Sequence, residues 1–298
     1  MAFDPARVLG LRCGPVPLAW SAAEAAAYAA AVGASGLPED AARRRVRSGG
    51  AVALPTFAAT LARRARPDFG TLGIDPARVL HLSQGLRLHA PFPADAQALG
   101  ECDVTALYDA GPRGAILDTR TTIRAASGRL LAAATARYLV RGAGGFGGTP
   151  LPPRKREATT AGPTDAALDI PTRPDQAELY SRLGDTNPIH LDASAAGAAG
   201  FERPILHGLC TFGLVGLAVV QALCEGDPGR LSALDLEFFA PVYPGATLRL
   251  DAWRRARGAG LALVVADRGA KLACRGRCVV RSAAATARLG TKMSPPGD

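Results

Sequence analysis

Apolar positions recur at helical spacing in two places in each half of the chain, and each such pair is followed by short apolar runs broken by glycine turns. In the first half, "SAAEAAAYAAAVG" (Ser21–Gly33) predicts a helix and "LPTFAATLA" (Leu54–Ala62) a second. In the second half, "RPDQAELYSRLG" (Arg173–Gly184) predicts a helix and "LCTFGLVGLAVVQALC" (Leu209–Cys224) a longer one. Only Thr211 and Gln221 are polar in that long segment. It is shorter than the ~18–20 residues a membrane-spanning helix needs, so it predicts a core helix that is apolar on every side. Gly213 and Gly216 within it would let a neighbour, expected to be a sheet, approach the backbone. Strands follow over Ser232–Ala240, Ala246–Arg257, Gly260–Arg268 and Lys271–Ala283, with "YPG", "RARGAG" and "DRGA" supplying the turns. Three or four strands are expected after the second helix of the first half. The class is α+β, with antiparallel strands wrapped around a long apolar helix.

The two halves resemble each other beyond this layout. "LRLHAPFP" (Leu86–Pro93) is similar to "LEFFAPVYP" (Leu236–Pro244), with Pro91 and Pro241 offset by 150. Pro55 and Pro204 are offset by 149, and Tyr28 and Tyr180 by 152. Three weak matches in order at nearly one offset indicate a duplicated unit. The expected division is a first repeat over residues 1–145, a linker over 146–164, a second repeat over 165–285 and a flexible tail over 286–298. The join contains G-x-G-x-x-G at Gly142, Gly144 and Gly147, but Pro150, Pro152 and Pro153 follow it. A dinucleotide fingerprint needs a helix directly after its glycines, and prolines at that point forbid one.

Composition narrows the partners. Hydrophobic residues make up 48% of the chain and charged residues 20%, enough for an ordinary core and too apolar for disorder. The net charge of +9 suits an anionic partner. With 5% aromatic residues and none interleaved with runs such as "AARRRVR" (Ala41–Arg47), a nucleic-acid stacking surface is not expected. Cys274 and Cys278 form a lone C-x3-C with no second pair to complete a zinc site. The opening "MAFDPARVLG" has charges where the apolar core of a secretory signal would begin. A reduced, cytoplasmic protein without bound metal, cofactor, nucleic acid or membrane is the expectation.

The chemistry concentrates in "YSRLGDTNPIHLD" (Tyr180–Asp192), which holds one of the chain's four histidines. The first repeat keeps the preceding helix but continues "ASGLPEDAARRR", with no counterpart to D-x-N-P-x-H. If those residues served only the fold, both copies should need them, so the cluster points to function. Asp185 and His190 are five apart on a segment stiffened by Pro188 and can converge on one water. Asn187, between them, could orient that water or a substrate oxygen. Asp192 precedes "ASAAGAAG" and reads as a helix cap. His207 opens the long helix, as a buried structural histidine or a substrate contact, and Tyr180 reads as packing or a hydrogen bond that steadies the loop near the substrate.

Tyr180, Gly184, Asp185, Asn187, Pro188, Ile189, His190 and Asp192 together resemble the hallmark of the MaoC-like dehydratases and (R)-specific enoyl-CoA hydratases, the hydratase 2 family. "AGFERPILHGLCTFG" (Ala199–Gly213) and "LEFFAPVYPGATL" (Leu236–Leu248) are similar to that family at the expected distances. The resemblance is specific in the second half and one of layout in the first. Leu183 departs from it, standing where many members have a small polar residue, and removes no chemical group.

The resemblance implies a double hotdog fold, two repeats of a long central helix wrapped by antiparallel sheet. It also implies catalysis in the second repeat and space for the acyl chain in the degenerate first. The implied reaction is reversible hydration of a trans-2-enoyl-CoA to the (3R)-3-hydroxyacyl-CoA. Asp185 and His190 would handle water and proton, either one taking the proton, and the backbone N–H of Gly208 would hold the enolate oxygen. Tyr180, Asn187, Arg203 and His207 are the candidate substrate contacts, and Arg182, Arg203 and Lys271 could meet phosphates. A dehydratase of carrier-protein-bound or branched 3-hydroxyacyl thioesters and a non-catalytic acyl-thioester-binding protein are the competing readings. A homodimer is compatible with either.

Overall fold

One antiparallel sheet of ten strands runs through both halves of the chain. The computed structural model describes residues 3–33, 52–153, 163–256, 258–265, 269 and 271–286. The first half contains α1 (Pro5–Val8), β1 (Arg12–Trp20), α2 (Ala22–Ala31), α3 (Phe57–Arg63), β2 (Val79–Leu88), β3 (Ala96–Asp109), β4 (Ala115–Ala125) and β5 (Leu130–Val140). The second contains β6 (Ala166–Pro171), α4 (Gln176–Ser181), α5 (Ala193–Ala198), α6 (Gly208–Leu223), β7 (Leu231–Phe238), β8 (Thr247–Arg255), β9 (Gly258–Val265) and β10 (Lys271–Val280).

The strand order is β1-β3-β4-β5-β2-β7-β10-β9-β8-β6. Each half contributes five neighbours, and the second half repeats the order of the first in mirror sequence about the β2–β7 seam. This is the double hotdog that the family resemblance implies. Ser83↔Glu237 through Arg87↔Ala233 set the register of the seam, and Arg87 closes it with bidentate bonds to Asp235 at 2.7 and 2.6 Å.

Two strands escape the sequence pattern, and both lie at sheet edges. β1 carries Pro15 and Pro17, which an edge strand tolerates because it needs fewer ladder donors. β6 is only six residues long and pairs with β8 alone. The remaining second-half strands occupy the expected segments, β8 and β10 with shorter ends and β7 and β9 starting one and two residues earlier.

The two central helices differ. In α6 every residue from Leu209 to Val220 is buried, whereas α3 runs for only 7 residues against 16 for α6. Pro67 biases Arg66 away from helical backbone, so α3 cannot continue far beyond Arg63. The approach to the α6 glycines also differs from expectation. Not the sheet but elements of the first repeat meet them: a Cβ at Gly213 would stand 2.6 Å from the Tyr28 hydroxyl, and one at Gly216 would overlap the Thr56 methyl. The glycines thus let the helices of the two repeats pack at backbone distance. Gly216→Leu is expected to lower stability by about 1–3 kcal/mol through overpacking, seen as a lower denaturant midpoint at unchanged slope.

The Gly142–Gly147 segment serves the fold. The Asp109 carboxylate accepts from the N–H groups of Gly111, Gly145 and Gly147, each at 2.8 Å, and no helix follows through residue 153. All six cysteines are unpaired. Among the described residues, no helix is long and apolar enough to cross a membrane. The Ala41–Arg47 run, linker residues 154–162 and tail residues 287–298 lie outside the described residues.

Candidate active site

The loop from Gly184 to Asp192 is shaped by its own sequence. Gly184 leaves α4 with φ +100°, a conformation that favours glycine. Asn187 Oδ1 then accepts from Ile189 N at 3.3 Å, capping the single turn Pro188–His190. Asp192 accepts from Ala195 N at 2.7 Å and caps α5. Asn187 Nδ2 donates to the carbonyl of Pro76 at 2.8 Å, tying the loop to the first repeat. Both ends of the Asn187 amide are therefore engaged by protein.

His190 is buried, with Nδ1 2.9 Å from the carbonyl of Ile205. A carbonyl only accepts, so Nδ1 carries the hydrogen and Nε2 keeps a lone pair. Burial pulls its pKa below the ordinary histidine value, although the Ile205 bond and Asp185 oppose this, and the ring is neutral at neutral pH. His207 packs against it with ring centroids 3.8 Å apart. Its Nε2 donates to the backbone carbonyl of Asp185 at 3.0 Å. Burial, reinforced by His190, pushes the His207 pKa down to about 3. His207 therefore acts as a neutral brace that fixes Asp185 from behind.

Asp185 has its carboxylate 3.8 Å from Arg63 Nε. Burial raises its pKa, the Arg63 guanidinium lowers it, and the net position is below the ordinary carboxylate value. Asp185 is thus ionised beside neutral His190. Arg63→Met would remove the strongest influence opposing burial, leaving His207, His190 and Arg66, and raise the Asp185 pKa. Because the ionised form is then lost at higher pH, any activity that depends on it should show its acidic limb moved upward, measurable in a pH–rate profile.

Gly208 begins α6, whose preceding residue His207 provides no side-chain cap. The first N–H groups of the helix are left for another acceptor, and the helix dipole favours a negative one. His81 of β2 closes on this point. A Cβ at Gly208 would stand 2.8 Å from His81 Nδ1, so the close approach requires glycine. His81 is stacked on Tyr138 with centroids 5.0 Å apart, and burial lowers its pKa to about 4.

The remaining candidates stand further back. Tyr180 is fully buried and shares a 2.8 Å hydrogen bond with Thr60 of α3, which places it behind the loop and not against a ligand. Arg203 donates to the carbonyl of Pro244 at 3.1 Å and lies 4.9 Å from the Tyr243 ring centroid. Arg182 and Lys271 are exposed. No group of three or more metal-ligating side chains occurs among the described residues.

A cleft opens between α3 and the sheet of the first repeat, with Leu209, Arg63, Arg66, Gln84, Thr121 and Tyr138 in its walls. Leu209 directly follows Gly208 and Arg63 pairs with Asp185, so the cleft adjoins the Asp185–His190 loop.

Arg63, Thr60, Pro76 and His81, all from the first repeat, complete this arrangement. Sequence reasoning passes over them because they belong to no motif, and only the fold brings them to the loop.

Comparisons with known proteins agree with the fold. A family model described as "MaoC like domain" matches residues 155–269, and one described as "MFE-2 hydratase 2 N-terminal domain" matches residues 19–142. The chain is 37% identical over 270 residues to "3-hydroxyacyl-thioester dehydratase Y" of Mycobacterium tuberculosis, covering 87% of this chain and 90% of that protein. It is 34% identical over 263 residues to "Enoyl-CoA hydratase ChsH3" of the same organism, covering 86% and 91%. Among solved structures, a MaoC-like dehydratase from Phytophthora capsici superposes with a TM-score of 0.79 at 24% identity, covering 96% of this chain and 100% of that one, a likeness of fold.

Proposed function

Since the chain belongs to the MaoC-like dehydratase and hydratase 2 family, we propose that it is a hydro-lyase that adds water to the double bond of trans-2-enoyl-CoA thioesters, with Asp185 and His190 as its acid–base pair. The observation that carries the assignment of residues is the geometry of the loop: His190 Nδ1 lies 2.9 Å from the carbonyl of Ile205, and His207, packed on His190, holds the backbone of Asp185 at 3.0 Å. Asp185 is ionised, and His190 is neutral with a free Nε2 lone pair.

Both groups start as proton acceptors, so the proton that reaches C2 is the one removed from water. The pair takes a proton from the bound water as its oxygen bonds to C3, and the thioester carbonyl oxygen takes the negative charge. The N–H of Gly208 at the start of α6 then faces that oxygen, where the dipole and an uncapped donor stabilise it. The enolate collapses as the held proton is delivered to C2. The sum is one water added and the catalyst restored, and dehydration is the same path reversed.

The first repeat, under this reading, houses the acyl chain in the cleft behind Arg63, because its truncated α3 leaves room that α6 fills in the second. The six unpaired cysteines support a reducing, cytoplasmic setting. Carrier-protein thioesters present the same reacting atoms, so substrate form is decided by rates. Initial rates on one enoyl chain carried by CoA and by an acyl carrier protein test this, together with chiral analysis of the product. The reading expects faster CoA turnover and the (3R) alcohol. A faster carrier-bound rate would move the assignment to the dehydratase reading, and a (3S) product would contradict the stereochemistry.

A further inference from the structure

The floor of the cleft is polar where a hydrocarbon chain would be served by an apolar one. On β4 the inward-facing positions run Leu117, Thr119, Thr121, Ile123, so two buried threonines interrupt an apolar face. The sheet register sets Gln84 beside Ala136 and Ala136 beside Thr119, while Ala134 stands beside Thr121. A patch of Gln84, Thr119 and Thr121 is thereby spread over three strands, with the alanines of β5 making the room. Gln84 Nε2 donates to the carbonyl of Gly85 at 2.9 Å and Thr119 Oγ1 to that of Ala136 at 3.5 Å, so the patch is bonded within the protein while the same residues line the cleft with polar atoms.

The opposite wall is cationic. Arg63 and Arg66 both line the cleft, and the Nε of each is buried with no hydrogen-bond partner among the described residues. Arg63 has Asp185 as its counter-charge. The guanidinium of Arg66 lies 3.7 Å from the Phe69 ring centroid and 5.3 Å from that of Tyr138, held by aromatic rings while its charge also acts on Asp185. Neighbouring His81 is neutral and offers it no negative charge.

We infer that the cleft selects enoyl thioesters whose acyl tail ends in an anionic oxygen group, a carboxylate, recognised by Arg66 with Gln84, Thr119 and Thr121 around it. The inference rests on the hydro-lyase reading and narrows its substrate class. Planar, weakly hydrated guanidinium suits a partly buried carboxylate, which it can meet with two parallel hydrogen bonds.

The test compares trans-2-enoyl-CoA esters of increasing chain length, each with a methyl and a carboxylate end, on wild type, Arg66→Gln and Arg66→Lys. At the length that reaches Arg66, wild type should favour the carboxylate end by about 10- to 100-fold in kcat/KM, the range of one charge-assisted hydrogen bond. Arg66→Gln should erase this ratio, so that methyl-ended and carboxylate-ended esters of that length turn over alike. Arg66→Lys should restore part of it. A methyl-end preference at every length overturns the inference. So does an Arg66→Gln effect that raises KM equally for both ends, which would place Arg66 against the CoA phosphates. Turnover of methyl-ended esters without any carboxylate preference sinks this inference alone. Absence of turnover with every ester sinks the hydro-lyase reading beneath it.

Discussion

Asp185→Asn is expected to lower kcat by about 10²–10⁴-fold, the usual contribution of one positioned acid–base group, with KM and the far-ultraviolet circular dichroism close to wild type. The substitution separates chemistry from architecture. An asparagine has the same shape and caps helices as well as an aspartate does, so a purely structural Asp185 would survive it with activity intact. Among the described residues the carboxylate makes only one long hydrogen bond, 3.5 Å from Asn187 N. Its ion pair with Arg63 is 3.8 Å long, with side chains 19% and 24% exposed, so its loss leaves a largely buried guanidinium without its counter-charge and should cost about 1–3 kcal/mol of stability. Steady-state rates beside a thermal melt distinguish the outcomes: a large fall in kcat with a small change in Tm supports the base, and parallel losses support a structural role.

His190→Gln should cost a similar factor. Glutamine can still donate an N–H to the carbonyl of Ile205, as Nδ1 does now at 2.9 Å, but it cannot accept and return a proton at neutral pH. Because burial lowers the His190 pKa and Arg63 lowers that of Asp185, both working forms persist below the ordinary pKa values of these groups. The wild-type rate should therefore be flat through neutrality and fall only on the acid side, as either group gains a proton. If the two serve one water, the double variant should be no worse than about the poorer single, since residues acting as a unit are not additive. Rates that multiply would show that they act on separate steps.

The second repeat was largely legible because its chemistry is local. Asp185, Asn187, Pro188 and His190 are consecutive enough that one turn sets their geometry, and the unbroken apolar run of α6 could only be a core helix. What lay beyond reading depends on contacts between repeats. Nothing around Arg63 marks it as the partner of a carboxylate 122 positions away, and His81 meets Gly208 only because β2 forms the seam of the sheet. The edge strands β1 and β6 were hidden for a different reason: prolines in one and brevity in the other suppress the alternation that marks a strand. Gly213 and Gly216 were recognised as points of close approach, but the partner was a helix from the other repeat, since packing between duplicated units leaves no periodic trace.

These features give the first repeat a larger part than loss of its motif suggests. It supplies the counter-charge for Asp185, the anchor for Asn187 at Pro76, the hydrogen-bond partner of Tyr180 and the histidine that crowds Gly208. Duplication followed by division of labour accounts for this: one copy keeps the reacting groups, and the other fixes their electrostatics while its shortened helix opens the cleft.

The most direct measurement is the absorbance of the conjugated thioester when purified protein meets crotonyl-CoA and a medium-chain trans-2-enoyl-CoA. The account predicts rapid loss of that absorbance with wild type, nearly abolished by Asp185→Asn and by His190→Gln in folded protein. Undiminished absorbance with folded wild type, or loss that persists unchanged in both variants, would contradict it.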